Sequence, residues 1–279
     1  MEYIKSIILG IVQGLTEFLP VSSTGHLTIF QQFFNLGGSE IPLCDVCLHL
    51  GTLVAVFIAF RKTIYNLIID FFKMLGSIFT GKYSYKNSPP YQKMIVLLIA
   101  ALIPLFFILP LKDTVESLFK NVKFVGAFLI VTAVILYIGD RAVKGKKTME
   151  NATIKDSLTV GIFQAVAVLP GLSRSGSTIT GGLLSGFSRE FAVEFSFILS
   201  IPAILGAAIL SIKDVVSDGT VDKLILLPYI AGAVVAAVAG FFAIKLITYL
   251  VKKDKFGYFV YYCAAVGVIT IIAAFILNK

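Results

Sequence analysis

Charge is what this chain has least of: 14% of its 279 residues are Asp, Glu, Lys or Arg, against 57% that are apolar. Such a balance lies outside the range of water-soluble globular proteins and makes lipid the main solvent. A nucleic-acid partner is not expected. The strict apolar/polar alternation of a membrane β-barrel is missing too, because the apolar stretches are continuous. Cysteine is scarce, with Cys44, Cys47 and Cys263 forming an odd set that has no second pair. That excludes a zinc cage or a disulfide framework, and His49 does not directly follow Cys47 as haem attachment would require. Buried packing accounts for all three.

What is present is a series of long apolar runs, at 46–60, 94–111, 125–138, 195–212, 224–247 and 258–277. Each approaches or reaches the length of a bilayer-spanning helix. The expected fold is therefore an all-α polytopic membrane protein, a single integral membrane domain over 1–279. Segment 1–19 resembles a signal peptide in its lysine and apolar run, yet Gln13 and Glu17 sit inside the apolar part, which argues for a retained functional segment.

Basic residues set the orientation. Arg61, Lys62, Lys73, Lys82 and Lys86 share one connection; Arg141, Lys144, Lys146, Lys147 and Lys155 another; Lys245, Lys252, Lys253 and Lys255 a third. These three belong in the cytoplasm. Connections 112–123 and 213–223 mix lysines with Asp113, Glu116, Asp214, Asp218 and Asp222, which suits the outer face. The crossings add up only if 4–34 and 154–187 each enter and leave by one side, as re-entrant hairpins, the first from outside and the second from the cytoplasm. About six transmembrane helices remain, with both chain ends outside. Non-helical backbone at that depth needs a protein-lined or watery cavity around it.

The hairpins align. Gly10-Ile11-Val12-Gln13 lies over Gly161-Ile162-Phe163-Gln164, Leu19-Pro20 over Leu169-Pro170, and, after a one-residue slip, Ser22-Ser23-Thr24-Gly25 over Ser173-Arg174-Ser175-Gly176. The expectation is an inverted repeat, about 1–140 and 154–279, whose broken helices meet near the bilayer midplane. Pro20 and Pro170 stop the incoming half-helices. Ser22 or Ser23, and Ser173 or Ser175, cap the outgoing ones. Two helix N-termini meeting there would make an anion site, with Gly25, Gly171 and Gly176 allowing close backbone approach and Thr24 and Thr178 adding hydroxyls.

Gln13 and Glu17, four residues apart, share one face of an apolar half-helix. A carboxylate there is costly, so Glu17 reads as a cation ligand or a proton-transfer group, with a structural ion pair as the bland alternative. Arg174, at the deepest point of the second hairpin, suits phosphate oxygens; its alternative is a salt bridge, Glu17 being one candidate partner. His26, beside the serine cluster, suits a nucleophile or a general acid/base. His49, flanked by Leu48 and Leu50, reads as ordinary packing. Glu194 is explained by helix–helix hydrogen bonding, and Tyr258, Tyr261 and Tyr262 read as interface anchors without chemistry.

The segments Gln13-Gly14-Leu15-Thr16-Glu17-Phe18-Leu19-Pro20-Val21-Ser22-Ser23-Thr24-Gly25-His26 and Pro170-Gly171-Leu172-Ser173-Arg174-Ser175-Gly176-Ser177-Thr178 resemble the two signature motifs of the undecaprenyl pyrophosphate phosphatase family, bacitracin-resistance type. The likeness runs along the whole chain. The family's first motif opens with Glu or Gln, so Gln13 fits it while weakening any need for charge there. The resemblance implies hydrolysis of a C55 polyprenyl pyrophosphate outside the membrane, to the monophosphate carrier of peptidoglycan synthesis and inorganic phosphate. It also implies a divalent cation, Mg²⁺ or Ca²⁺, for which Gln13 and Glu17 are the candidate ligands. The expected partners are that lipid and the membrane, with a homodimer compatible. The expected location is a bacterial plasma membrane, the site opening to the outer face. Glu17, Ser23, His26 and Arg174 are the expected catalytic residues; Ser22, Thr24, Gly25, Gly171, Ser173, Ser175, Gly176 and Thr178 are expected at the substrate. Either Ser23 or His26 attacks. The competing class is a polyprenyl-phosphate flippase built on the same repeat.

Overall fold

The computed structural model describes residues 2–33, 41–119, 121–217 and 223–277. Phe34, Asp218 and Asp222, and the side chains of Lys112, Asp113, Glu116, Lys213, Asp214 and Lys223, lie outside the described set. Within it the chain runs through α1 (Glu2–Phe18), α2 (Ser23–Phe33), α3 (Ile41–Ala59), α4 (Arg61–Phe79), α5 (Pro90–Phe106), α6 (Lys112–Phe119), α7 (Val122–Asp140), α8 (Ile154–Val166), α9 (Arg174–Leu184), α10 (Arg189–Ser217), α11 (Lys223–Lys252) and α12 (Tyr258–Ile276). A single bridge, Lys147 to Phe187, is the one strand-like pairing among the described residues. The protein is an all-α polytopic membrane protein. Large apolar side chains such as Ile209, Phe242 and Phe275 point outward and lie exposed, as a lipid-facing surface requires.

α7, α10 over Arg189–Ile212, α11 over Leu226–Lys252 and α12 are each long and apolar enough to cross a membrane. α3 meets that measure only together with α4, from which it is bent by 87°. α5 is 17 residues long and ends two residues beyond Pro104, whose ring removes a backbone donor. These are the six runs marked in the sequence, although length and composition alone credit four, or five with the bent pair. α4 is new: segment 61–86 reads as a basic connection, but its first 19 residues form a helix that buries Ile64, Leu67 and Met74 while Tyr65, Phe72 and Phe79 lie exposed.

The hairpins form where proline and serine place them. After α1 the chain turns through Leu19 to Ser22, with the Val21 N–H donating to the Leu19 carbonyl at 2.7 Å, and α2 starts at Ser23. Between α8 and α9 the turn passes Pro170 and Gly171, the latter at φ +92° with the Val125 carbonyl where a Cβ would stand. No other residue type suits both demands. A capping box of Thr153 and Asp156 opens α8, and Lys147 binds both oxygens of Asp156 at 2.8 Å while its backbone pairs with Gly186 and Ser188. The base of the second hairpin is thereby closed.

The two hairpins sit in equivalent surroundings. α1 packs against α11, and α8 packs against α5. Glycines set both contacts: a Cβ on Gly10 would strike the Gly232 carbonyl, and one on Gly161 the Ala101 carbonyl. α7 and α12, which pack against each other, meet at Gly126 and Gly267, each facing the other's backbone. Gly14 faces α11 as well, where a Cβ would come within 2.6 Å of the Ala236 carbonyl and 2.7 Å of the Ala239 Cβ. Gly14→Leu should therefore destabilise the protein by about 1–3 kcal/mol, because the obstacle is backbone that cannot swing away. Thermal unfolding in detergent checks this, with Gly76→Ala, which meets nothing within 4 Å, expected to be neutral or slightly stabilising.

Candidate active site

The turns of the two hairpins cross. A Cβ on Gly25 would lie 3.1 Å from the Gly171 Cα, and one on Gly176 would lie 3.1 Å from the Pro20 Cβ. Each loop's glycine thus rests on the other loop's proline turn. Their caps match as well: the Gly25 N–H donates to Ser22 Oγ at 3.1 Å, and the Gly176 N–H donates to Ser173 Oγ at 3.1 Å. The caps are therefore Ser22 and Ser173, not Ser23 and Ser175. Ser22 holds φ +69°, a left-handed conformation that a serine adopts only when its surroundings enforce it. The crossing lies near mid-helix on α7, because the Ser173 N–H donates to Thr132 Oγ1 at 3.1 Å and Thr132 donates on to the Gly171 carbonyl at 3.0 Å.

Glu17 is the centre of the cluster. It is buried, and four side chains from three parts of the chain converge on its carboxylate. Ser23 Oγ donates to Oε2 at 2.5 Å, and Gln13 Nε2 donates to the same oxygen at 2.9 Å. The Arg174 guanidinium donates to Oε1 from the second hairpin, and His49 Nε2 stands 3.7 Å from Oε2. Burial of this kind is tolerable only with such compensation. Ser23, Thr24, Arg174 and His49 remain half-buried and reachable, whereas Gln13, Glu17, Ser22 and Ser173 are closed off.

Serine hydroxyls of the second loop brace the crossing. Ser175 Oγ donates to the Leu19 carbonyl at 3.3 Å and lies 3.2 Å from Ser173 Oγ. Thr178 is a brace within the bundle: its hydroxyl bonds the Arg174 carbonyl at 2.8 Å and meets Ser196 Oγ of α10 at 2.5 Å. Its oxygen is thus spent away from the crossing.

His26 has both ring nitrogens engaged. Nδ1 lies 2.8 Å from the Ser22 carbonyl, so it carries the proton, and Nε2 then accepts from the Tyr262 hydroxyl at 2.8 Å. The rings also stack, with centroids 5.7 Å apart.

A model described as "Bacitracin resistance protein BacA" matches residues 6–269. The chain belongs to this family. It is 40% identical over 277 residues to the undecaprenyl-diphosphatase of Alkaliphilus metalliredigens, covering 98% of each chain. It is 45% identical over 273 residues to that of Methanobrevibacter smithii, covering 96% of each, and 40% identical over 282 residues to that of Methanosphaera stadtmanae, covering 99% of this chain and all of the relative.

In this member of the bacitracin-resistance family, two side chains have surroundings that their sequence context did not announce. His49, read as packing, stands beside Glu17, because the turn of α3 that carries Asp45 and His49 lies against α1. Tyr262, read as an interface anchor, reaches inward from α12 to hold His26. Glu194 is as expected, accepting from Thr63 of α4 at 2.6 Å. Cys44, Cys47 and Cys263 form no disulfide, and the bland alternative for Arg174, a salt bridge to Glu17, is also present. Removing the Tyr262 hydroxyl alone, in Tyr262→Phe, should cost about 1 kcal/mol and up to roughly fivefold in kcat/KM, read by phosphate release.

Proposed function

We propose that this protein hydrolyses undecaprenyl pyrophosphate to undecaprenyl phosphate and inorganic phosphate. The carrier of peptidoglycan synthesis is thereby returned to use, and bacitracin is resisted. The observation that carries the proposal is the convergence of Ser23, Glu17 and Arg174 where two helix N-termini cross beside the middle of α7. The first N–H groups of α2 and α9 have no partner within their own helices and carry the positive ends of two dipoles. Arg174 uses one arm on Glu17 and keeps further donors for phosphate oxygens. Anionic headgroup and buried positive field are thus matched.

Ser23 is the group we assign to attack. Its hydroxyl already points its proton at Glu17, and it sits at the first position of α2, beside uncommitted amides. Ser23 Oγ would bond to the terminal phosphorus as its proton passes to Glu17. The bridging P–O bond breaks, undecaprenyl phosphate leaves, and water then releases phosphate from the serine. His26, held at both nitrogens, positions the loop rather than attacking.

Gln13 and Glu17 are the proposed ligands of a divalent cation. Among the described residues no group of three or more His, Cys, Asp or Glu side chains could hold a metal ion. A hard cation that takes much of its shell from phosphate and water needs only one or two protein oxygens, however. Gln13 Oε1 is buried without a partner, next to the Glu17 carboxylate, and the pair fits that modest demand. Bound there, the ion would neutralise charge on the phosphates.

The opening is proposed to face outward. α3 runs from His49 beside Glu17 to Ala59, two residues before Arg61 in one of the basic connections, so the cluster lies about 15 Å from that cytoplasmic corner. Phosphate release from polyprenyl pyrophosphate by purified protein in detergent tests the activity. A flippase working at the same site would liberate none.

A further inference from the structure

A cleft lies away from the catalytic cluster, at the corner where α3 ends and α4 begins. Its volume is about 650 Å³, and α11 forms its other wall. Arg61 and Lys62 line it from one side and Lys245 and Lys252 from the other, all four exposed. None of its lining residues is acidic. Among the described residues, the carboxylate that a lining side chain contacts is that of Glu194, which accepts from the Thr63 hydroxyl at 2.6 Å.

The helix start adds to this field. α4 has Phe60 at its N-cap and no side-chain cap, so its first N–H groups carry the positive end of a 19-residue helix toward the same corner. Basic residues at the first two positions of a helix oppose its dipole, an arrangement that costs stability unless an anion neutralises it. No acidic residue stands in that first turn.

We infer that this corner is a binding site for the headgroup of an anionic phospholipid. The charge is complementary, and the position suits it: α4 leaves the apolar helix α3 at an angle of 87°, among the basic residues that mark a membrane–water boundary. Apolar walls argue against a free phosphate as the natural occupant. Ile58 and Ile244 line the cleft, and the Lys245 ammonium stands 4.5 Å over the Phe241 ring, its stem lying along apolar surface as at a lipid interface. Exposed Val54, Phe57 and Phe242 continue the walls toward the membrane interior, where acyl chains would run. The site is basic at the top and apolar below, the shape of one lipid molecule.

Native mass spectrometry of the full chain, counting lipids retained after delipidation and re-addition, tests this. Phosphatidylglycerol should be retained and phosphatidylcholine should not. Lys245→Gln with Lys252→Gln should weaken that retention roughly tenfold or more, since each charge near the surface contributes about 1 kcal/mol. The charge-matched pair Lys82→Gln with Lys86→Gln, outside the cleft, should leave it unchanged. Arg61→Gln alone serves if the first pair fails to fold, with a smaller loss expected. Equal losses in the two pairs would reduce the effect to bulk surface charge and overturn the site. Thermal stabilisation by inorganic phosphate equal to that by phosphatidylglycerol would overturn the lipid assignment.

Discussion

Arg174→Ala should lower kcat/KM by about 10³, because the guanidinium is the one side-chain cation that the second hairpin brings to the crossing. Lysine should not rescue it. A point charge on a flexible stem cannot hold Glu17 and phosphate oxygens together as a planar fork does, so Arg174→Lys should recover less than a tenth of the loss. The ion pair itself raises a second possibility, that Arg174 matters only for stability. Breaking a buried pair by removing one partner typically costs about 3–5 kcal/mol, and His49 at 3.7 Å from Glu17 should soften that here. The double change Glu17→Gln with Arg174→Gln removes both charges and should restore thermal stability. If it also restored phosphate release, Arg174 and Glu17 would both be structural and both proposed roles would fail.

Ser23→Ala should abolish turnover to at least about 10³ below the parent, and no phosphoenzyme should then be trapped. Its neighbour is the control. Ser22→Ala removes a helix cap worth about 1 kcal/mol at a left-handed backbone position and should act mainly on stability. Ser22→Gly, which relieves the φ of +69°, should lose less. The parent enzyme, quenched during turnover, should carry acid-stable phosphate on Ser23. An acid-labile bond would move the attack to His26, whose two nitrogens would then have to release Ser22 and Tyr262.

Much of this site is local in the chain, which is why it is legible there. Pro20 and Pro170 end helices wherever they occur, Ser22 and Ser173 cap the next ones by a bond to the residue three positions on, and Gln13 and Glu17 share a face by helical spacing. The apolar runs are likewise a matter of length alone. The choice between Ser22 and Ser23 as the cap was not legible. Both are good caps, and the crossing of the loops, with Gly25 against Gly171, decided between them.

The sequence by itself determined that two proline-broken, serine-capped hairpins interrupt an apolar bundle, and that one carries a carboxylate and the other a guanidinium. Those properties follow from short-range sterics and hydrogen bonding. Only the tertiary structure decided that the two turns interlock, that Arg174 reaches Glu17 across 157 positions, and that Tyr262 reaches His26 across 236. It also set His49 against Glu17 and turned α4 through 87° at Phe60. The physical reason is that helices in lipid choose their neighbours by backbone proximity at small residues, as Gly10 on Gly232 and Gly126 on Gly267 do here. That choice is made between surfaces distant in the chain, and no local pattern in either surface names its partner.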